Sequence, residues 1–284
     1  MYPIRAKSLL SAENGMNLYR GCTHGCIYCD SRSACYRFER DFTDIGVKEN
    51  APELLEQALR RKRRKCMIGT GSMCDPYLPA ERELRLTRRC LELIARYDFG
   101  AAVLTKSDLI LRDLDLIKQF PSAHVSWSIN TLDEDFRKEM DRAVSIERRL
   151  NAMKQFYEAG IQSTCFISPI FPGITDVIEI IERAKGQCNL VWLENLNLRG
   201  DYRKRILDWI HKHHPELDEL YREIYTKKSR AYWTALDQEI RAYTAKEGML
   251  YIRDDDRHRA PFGEPPVVCN YFYHEEVRKS AKKD

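Results

Sequence analysis

No run of roughly 18 apolar residues occurs in the 284-residue chain, so no segment is suited to cross a bilayer as a helix. Met1 to Ser11 also lacks the apolar block of a secretory leader, and the compartment expected on that basis is the cytoplasm. Neither sign of charge dominates. With 47 Lys and Arg against 43 Asp and Glu, the formal net charge is +4, which admits a nucleic-acid partner without requiring one. Glycine (13) and proline (11) are too sparse for collagen-like or low-complexity chains. What is present is a 43% hydrophobic, 32% charged composition, that of a soluble globular protein long enough for one large domain or two small ones, expected as a monomer.

Cysteine is the abundant exception, at 10 residues. A disulfide framework would suit a small secreted chain; in a reducing compartment clustered cysteines hold metal, and isolated ones behave as small buried hydrophobes. Cys22, Cys26, Cys29 and Cys35 are clustered, whereas Cys66, Cys90, Cys165 and Cys188 fall in strand or helix patterns and are expected in the core.

Along the chain, short apolar or β-branched runs alternate with amphipathic stretches, the pattern of parallel strands joined by helical crossovers. Strands are expected at Met16 to Tyr19, Met67 to Gly71, Ala101 to Thr105, His124 to Asn130, Ile161 to Ser168 and Leu190 to Asn195. Helices are expected from an Asn50 N-cap, along the Leu84, Leu91 and Ile94 stripe, over Asp113 to Phe120, from a Ser145 N-cap to Gly160, and over Thr175 to Lys185. The fold class is therefore α/β. Residues 201 to 284 read as a helical extension, with apolar residues from Leu217 to Tyr243 at helical intervals. The basic run Arg60 to Lys65 reads as a solvated helix end, which attracts such residues, ahead of a phosphate contact.

The segment Tyr19-Arg20-Gly21-Cys22-Thr23-His24-Gly25-Cys26-Ile27-Tyr28-Cys29-Asp30 carries C-x3-C-x2-C spacing just after a short strand. Three thiolates on one loop suit a four-iron cluster with one iron left open. The alternative is a structural zinc site, completed by Cys35 or His24, organising a noncatalytic nucleic-acid binding module; such sites usually pair two C-x2-C knuckles, and here there is one.

With Tyr28 at the aromatic position, this segment resembles the C-x3-C-x-aromatic-C motif of radical S-adenosylmethionine (radical SAM) enzymes. Val47-Lys48-Glu49-Asn50, Asp75-Pro76-Tyr77, Thr105-Lys106-Ser107 and Pro172-Gly173-Ile174-Thr175-Asp176 are similar to the spore photoproduct lyase-like branch, over roughly residues 1 to 200. The resemblance implies a partial (β/α)6 TIM-type barrel over residues 1 to 200, with its cluster loop at 21 to 36. It implies a 4Fe-4S cluster on Cys22, Cys26 and Cys29, S-adenosylmethionine as cofactor, and a reducing partner such as flavodoxin or ferredoxin. The activity implied is reductive cleavage of S-adenosylmethionine to a 5′-deoxyadenosyl radical that abstracts hydrogen from a substrate, with damaged DNA the family-level choice and RNA or a peptide the alternatives.

Parallel barrels collect chemistry at the C-terminal ends of their strands. Ser72, Cys74 and Asp75, Thr105 and Lys106, Ser126, Ser128 and Asn130, and Asn195 and Asn197 fall at such ends. Period-two alternation places Ser126 and Ser128 on the face opposite Val125 and Trp127. The resemblance implies that Lys106 pairs with the cofactor carboxylate, that Ser128 and Asp75 contact its polar groups, and that Tyr28 lies near the adenosyl moiety; Asn195, by its place at a strand end, is a further candidate for binding the cofactor. A lysine ending a buried strand needs an anion, which the cofactor would supply. Two positions depart from the lyase pattern. Ser72 stands where the lyase has its hydrogen-donating cysteine, leaving Cys74 two residues on as the candidate donor, and Asp30 stands where the lyase has a tyrosine.

Overall fold

The computed structural model describes residues 1–33, 36–198, 200, 202–253 and 265–271. In chain order the strands are β1 (Tyr2–Ile4), β2 (Gly15–Met16), β3 (Tyr19–Arg20), β4 (Gly46–Lys48), β5 (Met67–Thr70), β6 (Gly100–Thr105), β7 (Ala123–Ser128), β8 (Gln162–Ile170), β9 (Leu190–Asn195), β10 (Tyr251–Arg253) and β11 (Val267–Tyr271). The main sheet has spatial order β10-β11-β9-β8-β7-β6-β5-β2, and every pairing in it is parallel. Its strands from β2 to β9 neighbour one another in chain order, the arrangement of a partial TIM-type barrel. A small second sheet, β1-β4-β3, stands beside the start of the barrel.

Helices fill the crossovers: α1 (Ala51–Arg61), α2 (Glu81–Leu84), α3 (Leu86–Arg96), α4 (Leu114–Ile117), α5 (Glu134–Met140), α6 (Ile146–Glu158) and α7 (Val177–Ala184). Ser145 caps α6 by accepting the Arg148 N–H, and Gly160 follows it in the left-handed region at φ 78°. Ile146, Leu150, Met153 and Phe156 of α6 are buried against the sheet, each contributing roughly 1.5–3 kcal/mol. In β7 the expected alternation holds: Trp127 packs edge-on against Phe156 of α6, while Ser128 faces the barrel interior. None of the described helices is long and apolar enough to cross a membrane.

Several elements differ from the sequence reading. The first strand splits: β2 pairs with β5, but Tyr19 and Arg20 turn away to pair antiparallel with β4. Asn50 stands at the α1 N-cap position, yet its amide exchanges two hydrogen bonds with the backbone of Ala6, tying down the N-terminal strand instead. The Leu84 to Ile94 stripe spans two helices, broken at Arg85, whose φ is 47°. Asp113 to Phe120 contains the single turn of α4, preceded by a 3-10 segment. The Arg60 to Lys65 run, by contrast, is the solvated helix end expected of it: Arg60 and Arg61 close α1, the run is largely exposed, and on that surface Arg60 bonds Tyr97 and Glu56 while Lys65 reaches the Tyr97 carbonyl. Cys90, Cys165 and Cys188 are buried as expected, but Cys66 is only half-buried.

The C-terminal region is not purely helical. It supplies α8 (Tyr202–His213), α9 (Asp218–Tyr225) and α10 (Ala231–Lys246), then β10 and β11, which extend the barrel sheet beyond β9. Val267 and Val268 suit a strand by their β-branching, and Cys269, level with Trp192 of β9, is buried there.

Candidate active site

The cysteine loop leaves β3 through Gly21, whose φ of 85° and approach to Phe42 (an added Cβ would lie 2.4 Å from the Phe42 carbonyl oxygen) leave room for no other residue. The Cys22 N–H bonds that same carbonyl at 2.8 Å. Farther along, Arg20 Nη2 reaches the Tyr36 and Arg37 carbonyls at 2.9 and 2.6 Å, so the excursion begins and ends at one guanidinium. Cys22 and Cys26 are buried and Cys29 is half-buried.

All three thiols open onto a cavity of ≈ 250 Å³ at the C-terminal ends of the barrel strands. The same cavity receives Cys74 and Asp75 beyond β5, Lys106 beyond β6, Ser128 of β7, Ser168 of β8 and Asn195 of β9. Tyr28 is part of its wall, and Phe166 and Leu104 make it apolar toward the barrel interior. Cys22, Cys26, Cys29, Tyr28, Cys74, Asp75, Lys106, Ser128 and Asn195 thus share one cavity wall, whereas Ser126 and Asn130 do not line it. The structure adds Glu194, which accepts a hydrogen bond from Ser168 Oγ, and Tyr202 at the start of α8, whose hydroxyl donates to the Asn197 carbonyl.

Lys106 Nζ donates to Ser128 Oγ at 2.7 Å, and Ser128 Oγ donates to the Ser168 carbonyl at 3.0 Å, so three neighbouring strand ends are joined. The ammonium lies 5.6 Å from the Tyr28 ring centroid, a cation–π distance. Among the described residues no carboxylate lies within ion-pair distance of it. Asn195 Oδ1 is buried without a hydrogen-bond partner. A half-buried cation and an orphaned amide oxygen on one cavity wall fit a zwitterionic ligand, which would supply a carboxylate to the first and a donor to the second.

Asp75 is occupied otherwise. Its Oδ1 accepts from the Thr105 hydroxyl (2.7 Å) and the Tyr77 N–H (2.8 Å), its Oδ2 from the Lys106 N–H (2.6 Å), and His24 Nε2 stands 3.1 Å from Oδ2. Burial alone would raise its carboxyl, but the His24 ring, the Lys106 amide and the Thr105 hydroxyl together hold it below the usual carboxylate range. His24 is thereby committed to Asp75, and Cys35, the other residue weighed as a fourth zinc ligand, lies outside the described residues.

Burial pushes the Cys22 thiol well up, helped by Cys26 and Asp75, and pushes Cys26 up to about 12 against the pull of the Lys106 ammonium. Such thiols become thiolates against a metal that displaces their protons. Among the described residues, no three His, Cys, Asp or Glu side chains converge on a point that would hold a single ion. Three thiols lining one cavity are a donor set that three corners of a four-iron cluster would take. Cys74 is buried, its Sγ donates to the Tyr19 carbonyl at 3.3 Å, and burial raises it to about 12, so it carries its proton.

Comparison with known proteins gives a consistent result. Residues 16–184 match the Radical SAM superfamily. An uncharacterised protein of Methanocaldococcus jannaschii is 35% identical over 221 residues, covering 77% of this chain and 83% of the relative. One of Mycobacterium tuberculosis is 30% identical over 228 residues, covering 75% and 67%. Among solved structures, spore photoproduct lyase complexed with dinucleoside spore photoproduct superposes with a TM-score of 0.60 at 18% identity, over 95% of this chain and 81% of the lyase. A mutant of that lyase with bound S-adenosylmethionine and the dinucleoside gives 0.54 at 16% identity, over 76% of this chain and 66% of the lyase, so that match spans just under two thirds of the lyase's length. At these identities the structural likeness is one of fold.

Proposed function

From the premise that this chain belongs to the radical SAM superfamily and is a radical SAM enzyme, we propose that Cys22, Cys26 and Cys29 hold a 4Fe-4S cluster and that Lys106, Ser128, Asn195 and Tyr28 seat S-adenosylmethionine beside it. When bound, the pair supplies a 5′-deoxyadenosyl radical for hydrogen abstraction. The observation that carries this reading is the opening of the three motif thiols onto the cavity that also receives the Lys106 ammonium.

The protein's own part is placement and exclusion. Lys106 takes the cofactor carboxylate while Ser128 aims its Nζ, Asn195 Oδ1 accepts a cofactor N–H or O–H, and the Tyr28 ring walls the adenosyl side. Asp75, its oxygens already engaged, serves by fixing the Lys106 backbone, and Phe166 and Leu104 keep water from the interior side. Residues beyond 201 support the far wall, since the Tyr202 and Tyr225 hydroxyls hold the Asn197 and Leu196 carbonyls. The electron comes from a flavodoxin- or ferredoxin-type partner, in the cytoplasm.

For the substrate we take lesion-bearing DNA, supported by the fold shared with the lyase whose complex holds a dinucleoside. Ser72 in place of that lyase's donor cysteine argues for a different lesion, with Cys74 as donor: its S–H hydrogen atom would pass to the product radical as a C–H bond forms, and the bound cofactor would supply the hydrogen atom that restores the thiol.

Anaerobic purification tests the reading. The protein should be brown, contain about four irons and matching sulfide, and release 5′-deoxyadenosine when reduced with S-adenosylmethionine. A colourless protein with one stoichiometric zinc would overturn it in favour of a binding module. Deuterium transfer from labelled DNA, RNA or peptide into 5′-deoxyadenosine identifies the substrate class, and transfer from RNA or peptide alone would sink the DNA assignment.

A further inference from the structure

The segment linking α5 to α6 is bonded to the cysteine loop in both directions. The Ile27 N–H donates to the Met140 carbonyl at 3.0 Å, and the Arg142 N–H donates to the His24 carbonyl at 2.7 Å, so residues 140–142 run along the loop between the motif cysteines. Between those two bonds sits Asp141. Its carboxylate is fully buried and pairs with the fully buried guanidinium of Arg149 at 2.7 Å.

Each remaining group of that pair is also committed. Asp141 Oδ1 accepts the Ala143 N–H at 3.0 Å, and Oδ2 receives the Tyr28 hydroxyl at 3.4 Å. Arg149 Nε donates to the Val144 carbonyl at 2.9 Å, and Nη1 to the Ser128 carbonyl at 3.2 Å. A continuous path therefore runs from the motif aromatic Tyr28, through Asp141 and Arg149, to the backbone of Ser128, whose hydroxyl receives Lys106 Nζ. Phe171 packs edge-on against the Tyr28 ring at 5.7 Å.

Two buried charges are a costly way to stabilise a helix junction, because well-packed apolar residues do as well or better. What a fully satisfied ionic pair supplies is a single geometry, since any displacement strands a buried charge. We propose that Asp141 and Arg149 are positioning residues that lock the cluster loop to the end of β7, fixing the cluster ligands and the Lys106–Ser128 cofactor seat in one frame. The inference rests on the reading that Cys22, Cys26 and Cys29 bind the cluster. Losing either partner loosens loop and seat together. Neutralising Asp141 also leaves Arg149 as an uncompensated positive charge near the Cys26 ligand, which favours the reduced, more negative cluster.

The test uses Asp141→Asn, with Tyr28→Phe as a second variant that removes only the hydroxyl reaching Asp141. In metal-free protein, hydrogen exchange at residues 22–29 and 140–142 should accelerate together, by about tenfold or more in Asp141→Asn, and by less in Tyr28→Phe. In the loaded protein, Asp141→Asn should raise the cluster midpoint potential, lose iron to a chelator roughly tenfold faster, and raise the dissociation constant for S-adenosylmethionine. Exchange confined to residues 140–142, or a potential and dissociation constant equal to wild type, would overturn the proposal. If Asp141→Asn does not fold, Tyr28→Phe decides: unchanged exchange at residues 22–29 overturns it, and faster exchange in both segments supports it. The metal-free arm stands even if wild-type protein assembles no four-iron cluster, so failure of the functional reading is scored separately.

Discussion

Lys106 and Ser128 meet across the ends of β6 and β7, with Nζ donating to Oγ at 2.7 Å above the Tyr28 ring. That bond satisfies one of three ammonium protons and aims the remaining two into the cavity the motif thiols share. Lys106→Ala should therefore weaken S-adenosylmethionine binding by roughly tenfold to a hundredfold, the worth of a hydrogen bond to a charged group. Equilibrium binding to the anaerobic protein measures it; an unchanged dissociation constant would remove Lys106 from the seat.

Cys74 gives a prediction of a different kind, because a hydrogen donor acts after the radical has formed. Cys74→Ala should still release 5′-deoxyadenosine from S-adenosylmethionine but should fail to return hydrogen to the substrate, shifting products toward quenched or misdirected species. Product analysis with a turned-over substrate reads this. Full turnover with the wild-type product distribution would end the donor role.

The parts of this architecture that were legible in the sequence are those set by local spacing. Cys22, Cys26 and Cys29 declare themselves within one loop, and β5 to β9 show as apolar runs between amphipathic helices. What escaped depends on distant partners. Asp141 ends α5 while Arg149 lies within α6, so no single element's periodicity pairs them, and α5 is too polar to announce itself beyond the Asp133 cap and its acidic first turn. Asp75 reads as a cofactor contact until Thr105, Lys106 and His24 are seen to saturate it. Val267 to Tyr271 carries strand propensity, yet its partner β9 lies far back in the chain, so the helical periodicity before it dominated.

Two glycines beneath the site separate backbone demand from space. Gly71 has φ 103°, and an added Cβ would stand 2.0 Å from the Leu104 carbonyl oxygen, whereas at Gly69 a Cβ meets nothing within 4 Å. Gly71→Ala should cost more than about 2 kcal/mol through strain and collision, and Gly69→Ala should stay within about 1 kcal/mol of wild type. Denaturant midpoints at equal m-value compare them. Equal midpoints for the two variants would contradict the strand-end geometry drawn for Gly71.

His124 sets an acid limit on the fold. Half-buried in β7 with its Nε2 2.5 Å from the Thr164 hydroxyl of β8, it is pushed down by burial from its ordinary value of 6.5 to about 4. The folded protein thus keeps this ring neutral over a range in which the unfolded chain protonates it. The unfolded state binds the extra proton as pH falls from about 6.5 toward 4, so stability from this group is complete above 6.5, declines through that window and is spent below it. The loss attributable to His124 is at most about 3 kcal/mol. His124→Gln keeps a hydrogen-bonding side chain without a titrating ring, and its unfolding free energy should fall less steeply than wild type between pH 6.5 and 4 while running parallel above 7. Comparing the two slopes cancels the acid sensitivity of everything else in the molecule, the cysteine loop included, and parallel slopes throughout the acid window would show that His124 titrates alike in the folded and unfolded chains.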